Sequence, residues 1–118
     1  MRMWNLDVRK MCNQHLLGEH VETHMFAGTI NQGSSIKGYV EKGLVEVHNL
    51  RKRHDTLAKE LKRRNMNHKS PLQKFKIVRL GKINTKENKK DIMSRCKKCK
   101  ENFNQNEKWK IDKSAFWF

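Results

Sequence analysis

VHNLRKRHDTLAKELKRRN, residues 47–65, decides the fold because apolar residues recur in it at helical spacing. The apolar side of the predicted helix consists of Val47, Leu50, His54, Leu57, Ala58 and Leu61. The remaining surface carries seven cations, Arg51, Lys52, Arg53, Lys59, Lys62, Arg63 and Arg64. Such a helix must bury its apolar side against another element, so the segment predicts a helical domain with a strongly basic flank.

The segment NQHLLGEHVETHMFAGTIN predicts the partner helix, from Asn13 to Asn31, with Gly33 as its stop signal. Its expected apolar stripe is Leu17, Val21, Met25 and Gly28. At about 100° per residue, three polar side chains fall within roughly 60° of one another. These are His15, Glu19 and Glu22.

The rest of the chain completes a mostly α fold, a compact single domain (1–118) of about three long helices plus loops. IKGYVEKGL predicts one or two short helical turns, and KFKIVRLGKI a short strand or an extended loop. Asn84 and Glu87 resemble a capping box that opens a third helix from about Thr85 to Asn104. The apolar positions of that helix are Ile92, Cys96, Cys99 and Phe103.

The charge balance points to a polyanionic partner. The chain has 27 Lys and Arg against 12 Asp and Glu, a formal net charge of +15. A field of this size favours nucleic acid, and the basic flank of residues 47–65 suggests phosphate contacts rather than an ordinary solvated face. The sequence has no run of eighteen apolar residues and no signal peptide, which disfavours a membrane partner and predicts a soluble, intracellular protein. The odd number of cysteines favours reduced thiols and the cytoplasm, and we expect a monomer.

Two motifs contain metal-ligating residue types. CKKC fits either core packing or a metal or redox site, and without a second pair at suitable spacing we expect packing and no bound metal. HVETH places His20 and His24 one turn apart as half of a metal site, with His48, His54 and His68 as further possible ligands. Packing or DNA-facing histidines are the simpler interpretation.

The terminal segment WKIDKSAFWF places aromatic side chains among lysines. These aromatics either close the core or stack on bases and wedge into a distorted duplex. The aromatic residues are Trp109, Phe116, Trp117 and Phe118.

QHLLGEHVE and LRKRHDTLAKELKRRNMNHK, together with the aromatic tail, resemble the pyrimidine-dimer DNA glycosylases of the phage endonuclease V type, above all their short bacterial and viral members. The resemblance implies a compact helical domain that acts on damaged double-stranded DNA as a glycosylase and abasic-site lyase. It also implies an intracellular enzyme of bacterial or viral origin that needs no cofactor.

The resemblance assigns catalytic roles to Met1 and Glu22. Met1 matches the residue whose α-amine is the nucleophile, and we expect Met1 to persist because Arg2 is too large for initiator removal. An α-amine has an ordinary pKa of ~7.7–8.0 and a lysine one of ~10.4, so the α-amine is the readier nucleophile. Glu22 matches the carboxylate that stabilises positive charge on the sugar and moves protons.

The expected DNA contacts combine the resemblance with the basic and aromatic segments. The resemblance places Arg2, Gln14 and His15 at the site and Arg95 on a phosphate beside the lesion. The full expected set is Arg2, Gln14, His15, Arg51, Lys52, Arg53, Arg63, Arg64, Arg95, Trp109 and Trp117. Val21 and Met25 stand where the phage enzyme has arginines that seat the dimer, which leaves the lesion open.

Three alternatives stay open. The first keeps the imine chemistry but acts on another damaged or modified base. The second is a non-catalytic DNA-binding module in which Glu22 is a surface acid. The third is a metal-dependent nuclease built on the histidines, which a chelator would inactivate, whereas the glycosylase is expected to tolerate a chelator.

Overall fold

The computed structural model describes residues 1–66 and 71–104, and this part of the chain is mostly α-helical, as predicted. The helices are α1 (Asn13–Asn31), α2 (Lys37–Glu41), α3 (Leu50–Arg63) and α4 (Thr85–Arg95), with a 3-10 turn at Val47–Asn49 before α3. A further helical segment, α5, occupies residues 97–104. The described residues contain no β-strand, and none of their helices is long and apolar enough to cross a membrane.

The predicted bounds of α1 are confirmed. At its start the Sγ atom of Cys12 accepts a hydrogen bond from the backbone N–H of His15, the role that Ser or Asp usually has at an N-cap. Just beyond its end, Gly33 adopts a left-handed conformation with φ of +73°. The stop signal at Gly33 is therefore present at the expected residue.

The predicted buried face of α1 is wrong. Val21 and Met25 are 46% and 50% exposed. The side chains that α1 buries are Leu16, Glu19, His20, Thr23, Phe26 and Ala27. Half of these are polar or charged, so the spacing of apolar residues alone pointed to another face.

The helix predicted from residues 47–65 is confirmed, with its first turn in the 3-10 form. Leu50, Leu57 and Leu61 are fully buried, as the apolar stripe predicts. Arg53 departs from the prediction that it lies on the surface, because only 6% of it is exposed.

Helices α1 and α3 pack antiparallel around two apolar clusters. Leu16 shares one cluster with Leu57 and Leu61, and Phe26 shares the other with Leu50. Between the clusters lies a buried polar layer that the two helices supply. It consists of Glu19, His20, Thr23, Arg53 and His54.

Arg53 organises this polar layer. Its Nε donates to Glu19 Oε2 over 2.5 Å and its Nη2 donates to Glu19 Oε1 over 2.9 Å. This is a bidentate salt bridge between α3 and α1. Its Nη1 donates to the carbonyl oxygen of Leu6 over 2.8 Å. The guanidinium therefore joins both long helices to the N-terminal segment, residues 1–12.

The third predicted helix is present but interrupted. Asn84 accepts a hydrogen bond from the backbone N–H of Glu87, which confirms the predicted cap. Cys96, with φ of −129° and ψ of 112°, breaks the predicted continuous helix into α4 and α5. Cys99 and Phe103 are nevertheless buried, because α5 returns them to the cluster around Leu16.

The segment KFKIVRLGKI forms a loop and contains no strand. The carbonyl oxygen of Leu80 accepts the backbone N–H of Val47 over 2.9 Å. Gly81, at φ of +94°, passes so close to the carbonyl oxygen of Val45 that any Cβ would overlap it. Gly81 is therefore the residue at which the loop passes the start of the 3-10 turn, where a side chain would not fit.

We expect Arg53→Lys to lower the free energy of unfolding by about 2–4 kcal/mol, because lysine cannot pair with both Glu19 oxygens and also reach Leu6. The exposed Arg79 provides the matched control, and Arg79→Lys should change stability by less than about 0.5 kcal/mol. Urea denaturation followed by circular dichroism measures both. Equal stability of the two variants would show that the buried pair does not hold the fold.

Candidate functional site

The N-terminal segment is built into the interior of the protein. Met3 is fully buried, and its backbone N–H donates to the carbonyl oxygen of Leu44 over 2.7 Å. The side-chain amide of Asn88 donates to the carbonyl oxygen of Trp4 over 2.9 Å. These contacts fix the backbone two and three residues from the first residue of the chain.

Glu22 contacts the beginning of this segment. The Oε2 atom of Glu22 accepts the backbone N–H of Arg2 over 3.2 Å. That N–H belongs to the peptide that joins Met1 to Arg2, and the Met1 side chain packs against the cluster that contains Met3 and Phe26. The structure thus brings Glu22 to the peptide next to the α-amino group of Met1.

The side chain of Arg2 points towards α4. Its Nη1 pairs with Asp91 Oδ2 over 2.5 Å, and its guanidinium lies 4.3 Å from the centre of the Trp4 ring. Arg95 pairs with the other oxygen of Asp91 over 3.0 Å. The hydrogen bond from Arg2, with added help from the charge of Arg95, holds the pKa of Asp91 below its usual value.

An open cleft of about 730 Å³ lies beside Arg2. Its lining includes the cations Arg2, Lys42, Lys82 and Lys90 and the acids Glu87 and Asp91. Glu22 does not line this cleft. Arg2 connects the two, because its side chain lines the cleft and its backbone N–H contacts Glu22. An excess of cations around an open cleft suits the binding of a phosphate backbone.

The structure divides the predicted basic residues into outward and inward groups. Lys52 is exposed and Arg63 has a side chain that is 62% exposed. Arg51 donates to the carbonyl oxygen of Gln73 and lies over Phe75. Arg53 is buried in the polar layer and is left out of the DNA-contacting face proposed below.

Arg64 is also held by the protein itself. Its side chain, 17% exposed, donates to Glu60, to Asn13 Oδ1 and to the carbonyl oxygen of Val8. It shares a surface cavity with Gln14, which lies at the exposed start of α1. Trp109 and Trp117 lie outside the described residues.

His15 belongs to a group with the cysteines, which we call the Cys3His group. Its members are Cys12, His15, Cys96 and Cys99. Their Sγ and ring nitrogen atoms all lie within 4.8 Å of one another. CKKC supplies one pair of this group, and C-x2-H at residues 12–15, which has the same spacing, is the sequence signal for the second pair that the prediction lacks.

The environment of the cysteines in this group differs between residues. Burial raises the pKa of Cys99 to about 12. Burial also acts to raise the pKa of Cys96, but hydrogen bonds from the backbone and side chain of Cys99 and from Cys12 outweigh it, and the pKa is lowered. The thiolate form is thus favoured at Cys96 and opposed at Cys99.

A second potential metal-binding group consists of three histidines. His20, His24 and His54 also place ring nitrogens within 4.8 Å of one another. The Nε2 atoms of His24 and His54 are 3.1 Å apart, and His54 Nδ1 lies 3.0 Å from Asp55 Oδ1. The pair seen in HVETH is therefore joined by His54, one of the candidates named from the sequence.

A comparison with known families matches residues 1–74 to a family model described as pyrimidine dimer DNA glycosylase. This part of the chain contains Met1, Arg2, Glu22 and both long helices, whereas Cys96 lies beyond it. Neither the curated proteins nor the solved structures contain a match.

We expect Arg2→Gln to raise the pKa of Asp91 more than Arg95→Gln does, because the hydrogen bond from Arg2 contributes most to lowering it. Carbon-13 NMR titration of the aspartate carboxyl groups measures the shift. Each variant removes one positive charge from beside the Asp91 carboxylate, so each serves as the other's control. An Asp91 pKa that responds only to the loss of Arg95 would contradict the observed pairing.

Proposed function

The chain belongs to the pyrimidine dimer DNA glycosylase family, and on this premise we propose that it is a monomeric DNA glycosylase and abasic-site lyase acting on damaged duplex DNA. The proposed nucleophile is the α-amine of Met1, and the proposed catalytic carboxylate is Glu22. The observation that carries the proposal is the 3.2 Å contact between Glu22 and the Met1–Arg2 peptide. Through this contact the carboxylate of Glu22 lies next to the first peptide bond, one residue from the proposed nucleophile.

In the first step the neutral amine of Met1 attacks C1′ of the damaged nucleotide. The bond from C1′ to the base breaks, the base leaves with the electron pair, and a proton neutralises it. Positive charge develops on the sugar as the base departs, and the carboxylate of Glu22 stabilises that charge.

In the second step the sugar ring opens and the amine and C1′ form an imine. Opening breaks the bond between C1′ and O4′, and O4′ takes a proton. Loss of a proton from C2′ then expels the 3′ phosphate by β-elimination, and water later hydrolyses the imine. In this proposal the carboxylate of Glu22 carries these protons in turn. Its contact with the Met1–Arg2 peptide supports that role.

DNA binding is assigned to the outward cations and the cleft. Lys52 and the lysines of the cleft beside Arg2 are available to phosphates. Arg63 is exposed but pairs with both carboxylate oxygens of Glu60, so a phosphate would have to share its guanidinium. A damaged, weakly stacked nucleotide costs less to extrude than a normal pair, which favours its capture.

Val21 and Met25 bear on the choice of lesion. Both are exposed on α1, the helix that carries Glu22, so this surface offers apolar contact instead of charge. A pyrimidine dimer is the proposed lesion because of the family. The apolar surface favours a second candidate, the same chemistry on another damaged or modified base.

Borohydride reduction tests the imine directly. With duplex DNA that contains a dimer or an abasic site, we expect a covalent adduct on residue 1, located by mass spectrometry of the tryptic peptides. One extra residue before Met1 should abolish this adduct because it displaces the amine, and undamaged duplex of the same sequence is the substrate control. Failure to trap abasic, dimer and modified-base DNA alike would favour the non-catalytic binding module.

We expect Glu22→Gln to slow strand cleavage by roughly 100-fold or more while duplex binding persists, because the amide cannot carry protons. The control Glu41→Gln makes the same change on an exposed side chain of α2 and should cleave normally. Gel assays of cleavage and fluorescence anisotropy of binding separate the two properties. Unchanged cleavage by Glu22→Gln would remove Glu22 from the mechanism.

A further inference from the structure

The Cys3His group is assembled from two pairs with the same local geometry. Cys12 caps the start of α1, and His15 lies in the first turn of that helix. Cys96 precedes α5, and Cys99 lies in its first turn. In each pair the first sulfur accepts the backbone N–H of the second member, over 3.4 Å for His15 and 3.5 Å for Cys99.

Three of the distances between ligand atoms in the group lie close to those around one tetrahedral ion, and all of them are within 4.8 Å. Zinc–sulfur bonds of about 2.3 Å and a zinc–nitrogen bond of about 2.0 Å separate two sulfurs by roughly 3.8 Å and a sulfur from a nitrogen by roughly 3.6 Å. The sulfurs of Cys12 and Cys96 are 3.8 Å apart. The Nδ1 atom of His15 is 3.2 Å from the sulfur of Cys12 and 3.8 Å from that of Cys99.

We propose that the Cys3His group binds a single zinc ion with a structural role. Three sulfurs and one imidazole nitrogen complete a closed tetrahedral site, which is the arrangement of structural zinc rather than of catalytic zinc with its open position. The three thiols lose their protons to solvent as the metal binds, and His15 binds through Nδ1 as the neutral imidazole.

A disulfide bond, simple packing and an iron–sulfur cluster each fit the Cys3His group less well. The cysteines are free, and sulfurs 3.8 Å apart are too distant for a disulfide bond of about 2.05 Å. Simple packing does not require a ring nitrogen to face two sulfurs. The close spacing also suits one ion better than an iron–sulfur cluster, whose irons and sulfides would push the cysteines apart.

The ion would join the beginning of α1 to α5 across more than eighty residues of chain. It would also act on the N-terminal segment, because the ring of His15 meets the ring of Trp4 edge-on at 5.9 Å. Cys96 and Cys99 lie outside the residues that match the family model. The zinc site does not depend on the proposed function, and its experiments measure metal rather than activity.

Metal analysis of the protein purified without chelator is expected to give one zinc ion per chain. Cobalt exchanged into the site should show the visible absorption of tetrahedral cobalt and a near-ultraviolet thiolate charge-transfer band. Cys96→Ser should lose most of the metal, and Cys96→His, which restores a ligand, should retain it. His24→Asn is the control from the three-histidine group, and it should retain the zinc.

A metal-free wild-type protein, or zinc that is lost in His24→Asn but kept in Cys96→Ser, would overturn the proposal. Two measurements on the wild-type protein do not require any variant to fold. The three thiols should resist a thiol reagent until a strong chelator is added, and the chelator should lower the Tm by roughly 10 °C or more. Thiols that react equally fast with and without chelator would contradict the site, as would an unchanged Tm. A chelator-sensitive fold would also replace the sequence-based expectation that the protein tolerates chelators.

Discussion

The bidentate salt bridge between Arg53 and Glu19 is the interaction on which the rest of the structure depends. A buried charge is costly unless it is paired and its remaining hydrogen-bonding groups are satisfied. Here the guanidinium also donates to Leu6 and lies 3.4 Å from the sulfur of Met11, so its nitrogens are used on three sides. These contacts tie the relative position of the two long helices and the N-terminal segment to the hydrogen bonds of one buried cation.

This constraint explains the division of the interior. Apolar clusters lie on either side of the polar layer, and each long helix contributes to both. The N-terminal segment follows the same division, with Met3 in one cluster and Trp4 and Leu6 in the other. A slide of α1 along α3 by one turn would move Glu19 away from Arg53 and bring charge against leucines. The polar layer thus fixes the register of α1 along α3, which the apolar contacts alone would not specify.

Sequence reasoning found the elements because periodicity and caps are local properties. Gly33 ends α1 and Asn84 begins α4, as their residue types predict. The buried face of α1 was missed because Glu19 is buried by a partner 34 residues away, and nothing near Glu19 in the chain signals that partner. Both pairs of the Cys3His group are likewise visible in the sequence, but their meeting depends on the break at Cys96, where a continuous helix was expected.

The proposed chemistry places an unusual demand on such a fold. A chain terminus is ordinarily the most mobile part of a protein, whereas a nucleophile is effective only when it is held near the reacting carbon. Buried Met3, the amide of Asn88 and the Arg53 contact to Leu6 restrict the backbone directly behind Met1. Contacts from α3 and α4 and the burial of Met3 therefore converge on the first residues. The entropic cost of ordering this segment is offset by folding, so the free energy of DNA binding would not have to offset it.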